Sequence, residues 1–232
     1  MPKTITEQAT QTGRRIEHDS FATVDREAGP HGYDAHQWTI VRRMIHASAD
    51  FDFNGLTRFH PQAVSAGVAA VLAGSPVVAD VEMIRVGLSQ ARLAHFGIQV
   101  HQFISDPDII ARAQADASTR AVQSMRKAHE HGLLNGGMVA VGNAPTALLE
   151  IVRLVRTEGV RPALVIGMPV GFVSAAESKA ALSKLTEVPW ILTDGRKGGS
   201  ALVVAAIHAL LALAEERQSQ SVGPVQPPGS RT

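Results

Sequence analysis

Short apolar runs and longer helical patterns alternate along most of the chain. The apolar runs are rich in β-branched residues and are followed by turn or capping residues, so they predict strands at 76–80, 98–104, 138–142, 163–168 and 189–194. Strands that alternate with helices in this way are typical of βα units in a parallel sheet. The pattern therefore predicts a five-stranded parallel sheet connected by helices.

Before the first of these strands the chain has helical patterns only. They cover 36–49 and 61–73, with no strand expected between them, and they predict an N-terminal helical extension. Five parallel strands joined by helices fit a three-layer α/β/α, flavodoxin-like, doubly wound sheet of strand order 2-1-3-4-5. This order rests on analogy and on the handedness of parallel crossovers. The predicted fold class is α/β.

Two of the predicted helices have clear start signals. Asp106 and Pro107 supply a cap and an N1 proline for a long helix over 108–129, because proline is tolerated in the first helical turn. Ser174 and Glu177 have the spacing of a capping box. Both signals predict helices that begin shortly after the carboxyl end of a strand.

The two ends of the chain differ from the middle in composition. Residues 1–15 are polar, and residues 216–232 are rich in Gln, Ser, Gly and Pro. Such segments bury too little apolar surface to offset the entropy lost on ordering. We interpret them as disordered tails on either side of one α/β domain over 16–215.

Composition limits the classes of function. The 232 residues are 45% hydrophobic, carry 22 basic against 21 acidic side chains and include no cysteine. A net charge near zero argues against a nucleic-acid or membrane partner, and the lack of cysteine excludes disulfides, thiolate metal sites and a cysteine nucleophile. Without a signal-peptide pattern or an apolar stretch of about 18 residues, a cytoplasmic location is expected.

Cofactor motifs are missing, but several loops are suited to bind a ligand. No GxGxxG or GxxxxGK[ST] pattern and no metal-ligand spacing occurs, so we expect no nucleotide cofactor and no metal. Ligands of open α/β sheets bind beyond the carboxyl ends of the strands, which indicates Asp80 and the loops at 142–146 and 169–172. The stretches 142–146 and 195–200 are both glycine-containing. Backbone N–H groups in the glycine-rich loops would suit an anion. The same glycines also make ordinary tight turns, and both explanations stay open.

His46 is the candidate catalytic residue because of its place on its helix. The helix has one apolar side, formed by Ile40, Val41, Met44 and Ile45. His46 lies on the opposite, polar side, with Arg43 at i−3 and Asp50 at i+4, where both could adjust its protonation. The competing explanation is that this side is simply the solvated face of an amphipathic helix.

Arg120 also has two interpretations. Within the predicted helix, Asp116 lies at i−4, which favours a surface ion pair of small energetic value. The forked guanidinium of Arg120 would equally suit recognition of a carboxylate.

A known family contains the same sequence blocks in the same order. They are EHDSFA at 17–22, RMIHA at 43–47, DVEM at 80–83, STR at 118–120, GNAPTAL at 142–148, GMPVGFV at 167–173 with AAESK at 175–179, and GRKGGS at 195–200. On these blocks the chain resembles the precorrin-8X methylmutases from about residue 16 to residue 213. The GNAPTAL block and the PVGFV and AAESK blocks are together the most specific.

The resemblance implies an isomerase of vitamin B12 biosynthesis. The family moves the C11 methyl group of precorrin-8X to C12 and gives hydrogenobyrinic acid, and its anaerobic branch converts cobalt-precorrin-8 to cobyrinic acid, so the metal state of the substrate stays open. The reaction needs no cofactor. A flavodoxin-like homodimer is implied, with the tetrapyrrole in a cleft completed by the partner subunit. His46 becomes the proton donor, and the residues suited to bind the substrate are Ser20, Arg43, Ser89, Thr119, Arg120, Asn143 and Thr146.

One departure from the family pattern supports an alternative. Many members carry a basic residue before the serine that matches Ser20, whereas this chain has Asp19, whose charge would repel a substrate carboxylate. The alternative is a diverged, non-catalytic protein that binds or carries a corrinoid. A nucleotide enzyme of the flavodoxin-like fold is a third hypothesis, supported by fold analogy alone.

Overall fold

The computed structural model describes residues 4–221, except the side chain of Ser221, and contains one mixed six-stranded sheet. Its strands are β1 Thr57–Phe59, β2 Val77–Ala79, β3 Val100–His101, β4 Met138–Val141, β5 Leu164–Gly167 and β6 Trp190–Thr193. The order across the sheet is β1-β6-β5-β4-β2-β3. Strands β2 to β6 pair in parallel. Each of them lies within one of the five predicted ranges, and their relative order is the expected one.

The sixth strand corrects the sequence analysis. β1 lies between the two predicted N-terminal helices, where no strand was expected, and it pairs antiparallel to β6 with Thr57 opposite Thr193. Three residues are too few to show an alternating pattern, so this edge strand gives no periodic signal. The sheet therefore has six strands, and the N-terminal region is not purely helical.

The helices of the described chain connect these strands and precede them. Their bounds are α1 Gln11–Glu27, α2 Ala35–Ser48, α3 Phe53–Leu56, α4 Ala63–Leu72, α5 Glu82–Gly87, α6 Gln90–His95, α7 Pro107–Ala115, α8 Arg120–Glu130, α9 Pro145–Thr157, α10 Ala175–Leu182 and α11 Ser200–Ser221. The helices predicted at 36–49 and 61–73 correspond to α2 and α4.

The single helix predicted over 108–129 is wrong, because the chain leaves the helix between α7 and α8. Ala117 has φ 46°, a left-handed conformation that ends an α-helix. Thr119 then caps α8 by accepting a hydrogen bond from the backbone N–H of Val122 at 3.2 Å. Arg120 is consequently the first residue of α8 and has no helical i−4 relation to Asp116.

The predicted capping box at Ser174 is also wrong. Ser174 has φ 60° and makes no side-chain capping bond, because the loop before α10 enters the helix through a left-handed residue. A capping box occurs instead at α2, where Asp34 accepts from the backbone N–H of Gln37 and the Gln37 side chain accepts from the backbone N–H of Asp34. This box fixes the start of the helix that carries His46.

Two apolar cores cover the two faces of the sheet. Successive strand residues point to opposite faces: Val77 and Ala79 belong to one core and Val78 to the other. The first core includes buried residues of α1, α2, α4, α5, α6 and α11. The second includes buried residues of α8, α9 and α10. Burial on both faces explains why the strands are apolar runs rather than alternating patterns.

Part of the predicted N-terminal tail is ordered. Helix α1 begins at Gln11, and the backbone N–H groups of Ile5 and Thr6 donate to the carboxylate of Glu215 on α11 at 2.6 and 2.9 Å. A buried carboxylate provides the anchoring that composition does not reveal. At the other end, α11 continues through residues 216–221, whereas residues 1–3 and 222–232 of the predicted tails lie outside the described residues. Within the described part, none of the helices is long and apolar enough to cross a membrane.

Candidate active site

His46 pairs with Ser20 across the first two helices. The Oγ atom of Ser20 lies 2.7 Å from Nδ1 of His46, and the ring of Phe21 meets the imidazole edge-on with centroids 5.1 Å apart. The four apolar residues of α2 are at most 1% exposed, so the helix buries the predicted side. His46 is exposed on its polar side, as the sequence predicts.

The second ring nitrogen of His46 is available to a ligand. Among residues 4–221 its Nε2 atom has no hydrogen-bond partner. A serine hydroxyl either donates or accepts, so Ser20 accommodates both the imidazolium and the neutral tautomer that carries its proton on Nε2. In each of these forms His46 presents an N–H group to the exterior.

Arg43 is already partnered. Its Nη2 atom donates to Oε1 of Glu17 at 3.1 Å, and both side chains are only 15% exposed. The guanidinium also lies over the ring of Phe21, 5.3 Å from the centroid. A ligand carboxylate at Arg43 would share this cation with Glu17.

Asp50 does not contact His46 in the described structure. The helix ends at Ala49, which has φ 52°, and the Asp50 carboxylate accepts from Nζ of Lys197 at 2.6 Å. Lys197 also binds Asp52 at 2.7 Å, and its hydrogen bond to Asp50 lowers the pKa of that carboxyl. Instead of tuning His46, Asp50 ties the end of α2 to the β6–α11 loop.

The backbone of Ser89 is held by a partly buried histidine that no sequence motif indicates. The backbone N–H of Ser89 donates to Nε2 of His208 on α11 at 3.1 Å. Burial lowers the pKa of His208 to about 4, and the charges of Arg92 and Arg43 contribute in the same direction. His208 is therefore neutral near pH 7. In the sequence, His208 could have been noticed as the one polar residue within the apolar stretch 201–214.

The shifted pKa of His208 predicts acid sensitivity of the fold. The unfolded chain binds this proton near pH 6.5 and the folded chain only near pH 4, so the free energy of unfolding falls as the pH drops through this window, by about 2 to 3 kcal/mol. In urea unfolding between pH 7 and pH 4, His208→Gln should lose this part of the pH dependence. The exposed His95→Gln serves as control, and parallel curves for wild type and His208→Gln would contradict the prediction.

A second group of predicted residues lies at the carboxyl end of β4. The Oγ1 atoms of Thr119 and Thr146 are 3.0 Å apart, which joins the start of α8 to the start of α9. Arg120 follows directly and has no hydrogen bond or ion pair within residues 4–221. Asp116 binds Gln123 at 2.8 Å instead. Arg120 thus keeps a guanidinium free for a carboxylate.

The loop amides near Asn143 are not free, contrary to the sequence analysis. The fully buried carboxylate of Asp80 accepts from the backbone N–H groups of Gly142, Asn143 and Ala144 at 3.1, 2.9 and 2.7 Å. Burial raises the pKa of Asp80, while the three donors oppose that shift. Asp80 orders this loop, so ligand contacts there fall to the side chains of Asn143 and Thr146.

The charge of Asp19 is partly compensated. Its carboxylate oxygens lie 3.7 Å from Nε of Arg15 and 3.6 Å from Nδ1 of His18. The carboxylate is well exposed, and such a group is screened by solvent. The departure from the family pattern therefore places a smaller repulsive field beside Ser20 than the sequence alone indicates.

Comparison with known proteins gives one consistent result. The family model described as "Precorrin-8X methylmutase" matches residues 15–213. The cobalt-precorrin-8 methylmutase of Leptospira interrogans is 51% identical and covers 90% of this chain and 98% of its own, and that of Priestia megaterium is 48% identical and covers 87% and 88%. A solved structure, the precorrin-8X methylmutase of Thermus thermophilus, is 53% identical with a TM-score of 0.83 and covers 88% and 98%. This chain therefore belongs to the precorrin-8X methylmutase family, a family of isomerases in vitamin B12 biosynthesis.

Proposed function

We propose that this protein moves the C11 methyl group of precorrin-8X or cobalt-precorrin-8 to C12, with His46 as the proton donor. The observation that carries the assignment of His46 is its pairing with Ser20 at 2.7 Å, which orients the imidazole and leaves Nε2 facing outward. The product is hydrogenobyrinic acid or cobyrinic acid. Family membership supports the reaction, and the geometry supports the choice of residue.

The reaction requires the protein mainly to donate a proton and to hold the macrocycle in a reactive conformation. The methyl shift is an isomerisation within the ring, so no atoms are exchanged with a second reactant. A hydrogen bond or proton from Nε2 of His46 would favour the electron distribution that migration requires, and such general acid assistance contributes about 10² to 10⁴ in rate. The remaining acceleration would come from holding the macrocycle in a reactive conformation.

Substrate carboxylates would be bound by several separate groups. Arg120 has no hydrogen-bond or ion-pair partner in the described part of the chain. It adjoins the hydroxyl pair of Thr119 and Thr146, and the three groups together suit one carboxylate. Ser20, Ser89, Asn143 and Arg43 are the other binding residues that we propose. Because these contacts are local, a net charge of +1 is compatible with a polyanionic substrate.

We further infer a flavodoxin-like, three-layer homodimer located in the cytoplasm, whose cleft is completed by the partner subunit. Ser20 lies on α1 and His46 on α2, and both helices contribute to the first core. Thr119 caps α8, Arg120 begins α8 and Thr146 lies on α9, and both of these helices contribute to the second core. Two groups on elements that pack against opposite faces of a sheet support a cleft formed by two copies. In that arrangement, one subunit supplies the donor and the other supplies carboxylate contacts.

Turnover tests the proposal directly. Purified protein is incubated with precorrin-8X and, separately, with cobalt-precorrin-8, and the absorption spectrum is followed for the product. Conversion of at least one substrate is expected. Because the relatives are named for one or the other substrate, both are tested in parallel. Binding of product without conversion of either substrate would favour a non-catalytic corrinoid carrier.

A further inference from the structure

Two neighbouring loops beyond β5 and β6 are joined by backbone hydrogen bonds. The N–H of Gly199 donates to the carbonyl of Met168 at 2.8 Å, and the N–H of Gly171 donates to the carbonyl of Arg196 at 3.2 Å. A Cβ atom at Gly198 would lie 2.2 Å from the carbonyl oxygen of Met168, so the two loops approach as closely as glycine permits.

A buried lysine also holds one of these two loops in place. Nζ of Lys179 on α10 donates to the carbonyl of Lys197 at 2.7 Å, and Oγ1 of Thr193 donates to that carbonyl at 2.8 Å. The loops are thus held at several points and form a preorganised surface.

This rigid surface exposes apolar side chains beside a cation. The side chains of Val170, Phe172 and Val173 are 47%, 85% and 81% exposed. The guanidinium of Arg196 lies over the ring of Phe172, 5.6 Å from its centroid, and has no acidic partner in the described part of the chain. Large apolar groups held rigidly in water commonly mark a binding site.

The same surface lies at the end of the molecule that carries His46. Lys197, the residue after Arg196, binds Asp50 and Asp52 directly beyond α2, and His46 is in the last turn of that helix. The two loops also follow the carboxyl ends of β5 and β6, where open α/β sheets bind ligands.

We propose that Phe172 and Arg196 form a substrate-recognition pair, with the Phe172 ring against the apolar face of the macrocycle and the Arg196 guanidinium on a peripheral carboxylate. The inference rests on the proposed function and adds two residues to the binding site. Charge complementarity favours this occupant over a second copy of the chain, because a carboxylate-rich ring supplies the anion that Arg196 lacks among residues 4–221.

Product binding tests the pair with matched variants. Dissociation constants for hydrogenobyrinic acid and cobyrinic acid are measured by spectroscopic titration at two salt concentrations. Arg196→Gln should weaken binding about tenfold or more and reduce its salt dependence, and Arg196→Lys should recover part of the loss. Phe172→Ala should weaken binding about tenfold with unchanged salt dependence, and Phe172→Leu should recover part of it.

The control is Arg156→Gln, which removes the same charge from an exposed site in the last turn of α9, near the amino ends of the strands and away from the two loops. It should bind as wild type does. If Arg196→Gln and Phe172→Ala both bind product with wild-type affinity and convert substrate at the wild-type rate, this inference is overturned and the proposed function stays intact. A change of oligomeric state in Phe172→Ala with retained binding would identify the surface as a subunit contact and overturn the proposal. Failure of the wild type to bind or convert would instead contradict the proposed function.

Discussion

Replacing His46 with Ala should lower kcat by about 10² to 10⁴, because general acid assistance of that size is lost. The side chain is exposed, and within residues 4–221 it makes one hydrogen bond, to Ser20, and one ring contact, with Phe21, so stability should change little. Product affinity should stay close to that of the wild type, since the carboxylate contacts belong to other residues. Single-turnover kinetics and a product titration measure the two quantities separately.

Two variants on the same pair of helices sharpen this test. His36→Ala removes an exposed histidine from the first turn of α2 and should leave kcat unchanged. Ser20→Ala removes the hydroxyl that orients His46 and that we also propose to bind substrate, so its loss of kcat should be smaller than that of His46→Ala, and adding it to His46→Ala should cause no further decrease in kcat. Turnover by His46→Ala at the wild-type rate would remove this residue from the mechanism.

The parallel strands could be predicted because each is buried on both faces and therefore forms a continuous apolar run. The features missed in the sequence have no such signal. β1 is a three-residue edge strand, and the interruption between α7 and α8 occurs at Ala117, within an alanine-rich segment that has neither glycine nor proline. Because the composition of this segment favours a helix, it gives no indication that Ala117 is left-handed. Tertiary context overrides local propensity at this residue.

For the candidate site, the sequence predicts which face of a helix a side chain occupies but not which residue it contacts. The outward position of His46 follows from helical periodicity alone. Its pairing with Ser20, the capture of Asp50 by Lys197 and the capture of the Gly142–Ala144 amides by Asp80 join residues 26, 147 and 62 to 64 positions apart. Pattern reasoning is local, so contacts of this range depend on how the helices and loops pack.

These long-range contacts also explain how the site is supported. Arg43 is held by Glu17 on α1, and the end of α2 is held by Lys197 in the β6–α11 loop. Helix α2 is thus fixed at the turn of its polar face that carries His46 and again just beyond its last residue. Such support would hold the proposed catalytic side chain of His46 in place without burying it.

Combining two impaired variants should restore activity if the cleft is shared between subunits. His46→Ala removes the proposed proton donor from the group formed with Ser20. Arg120→Gln removes the guanidinium from the group formed with Thr119 and Thr146. In a heterodimer of these variants, purified through a different affinity tag on each subunit, one cleft carries both substitutions and the other carries neither. About half of the wild-type kcat/KM per dimer is therefore expected, whereas every cleft of each parent homodimer lacks one of the two groups and kcat/KM should be lower.

The matched control is a heterodimer of two differently tagged His46→Ala subunits, in which every cleft lacks the donor and no activity should return. If His46 and Arg120 served the same cleft from one subunit, each subunit of the mixed dimer would be defective, and its activity would equal that of the parents. That outcome, or a monomeric wild type in size-exclusion chromatography, would contradict the shared cleft. It would leave His46 as donor, because the loss in His46→Ala does not depend on which subunit supplies Arg120.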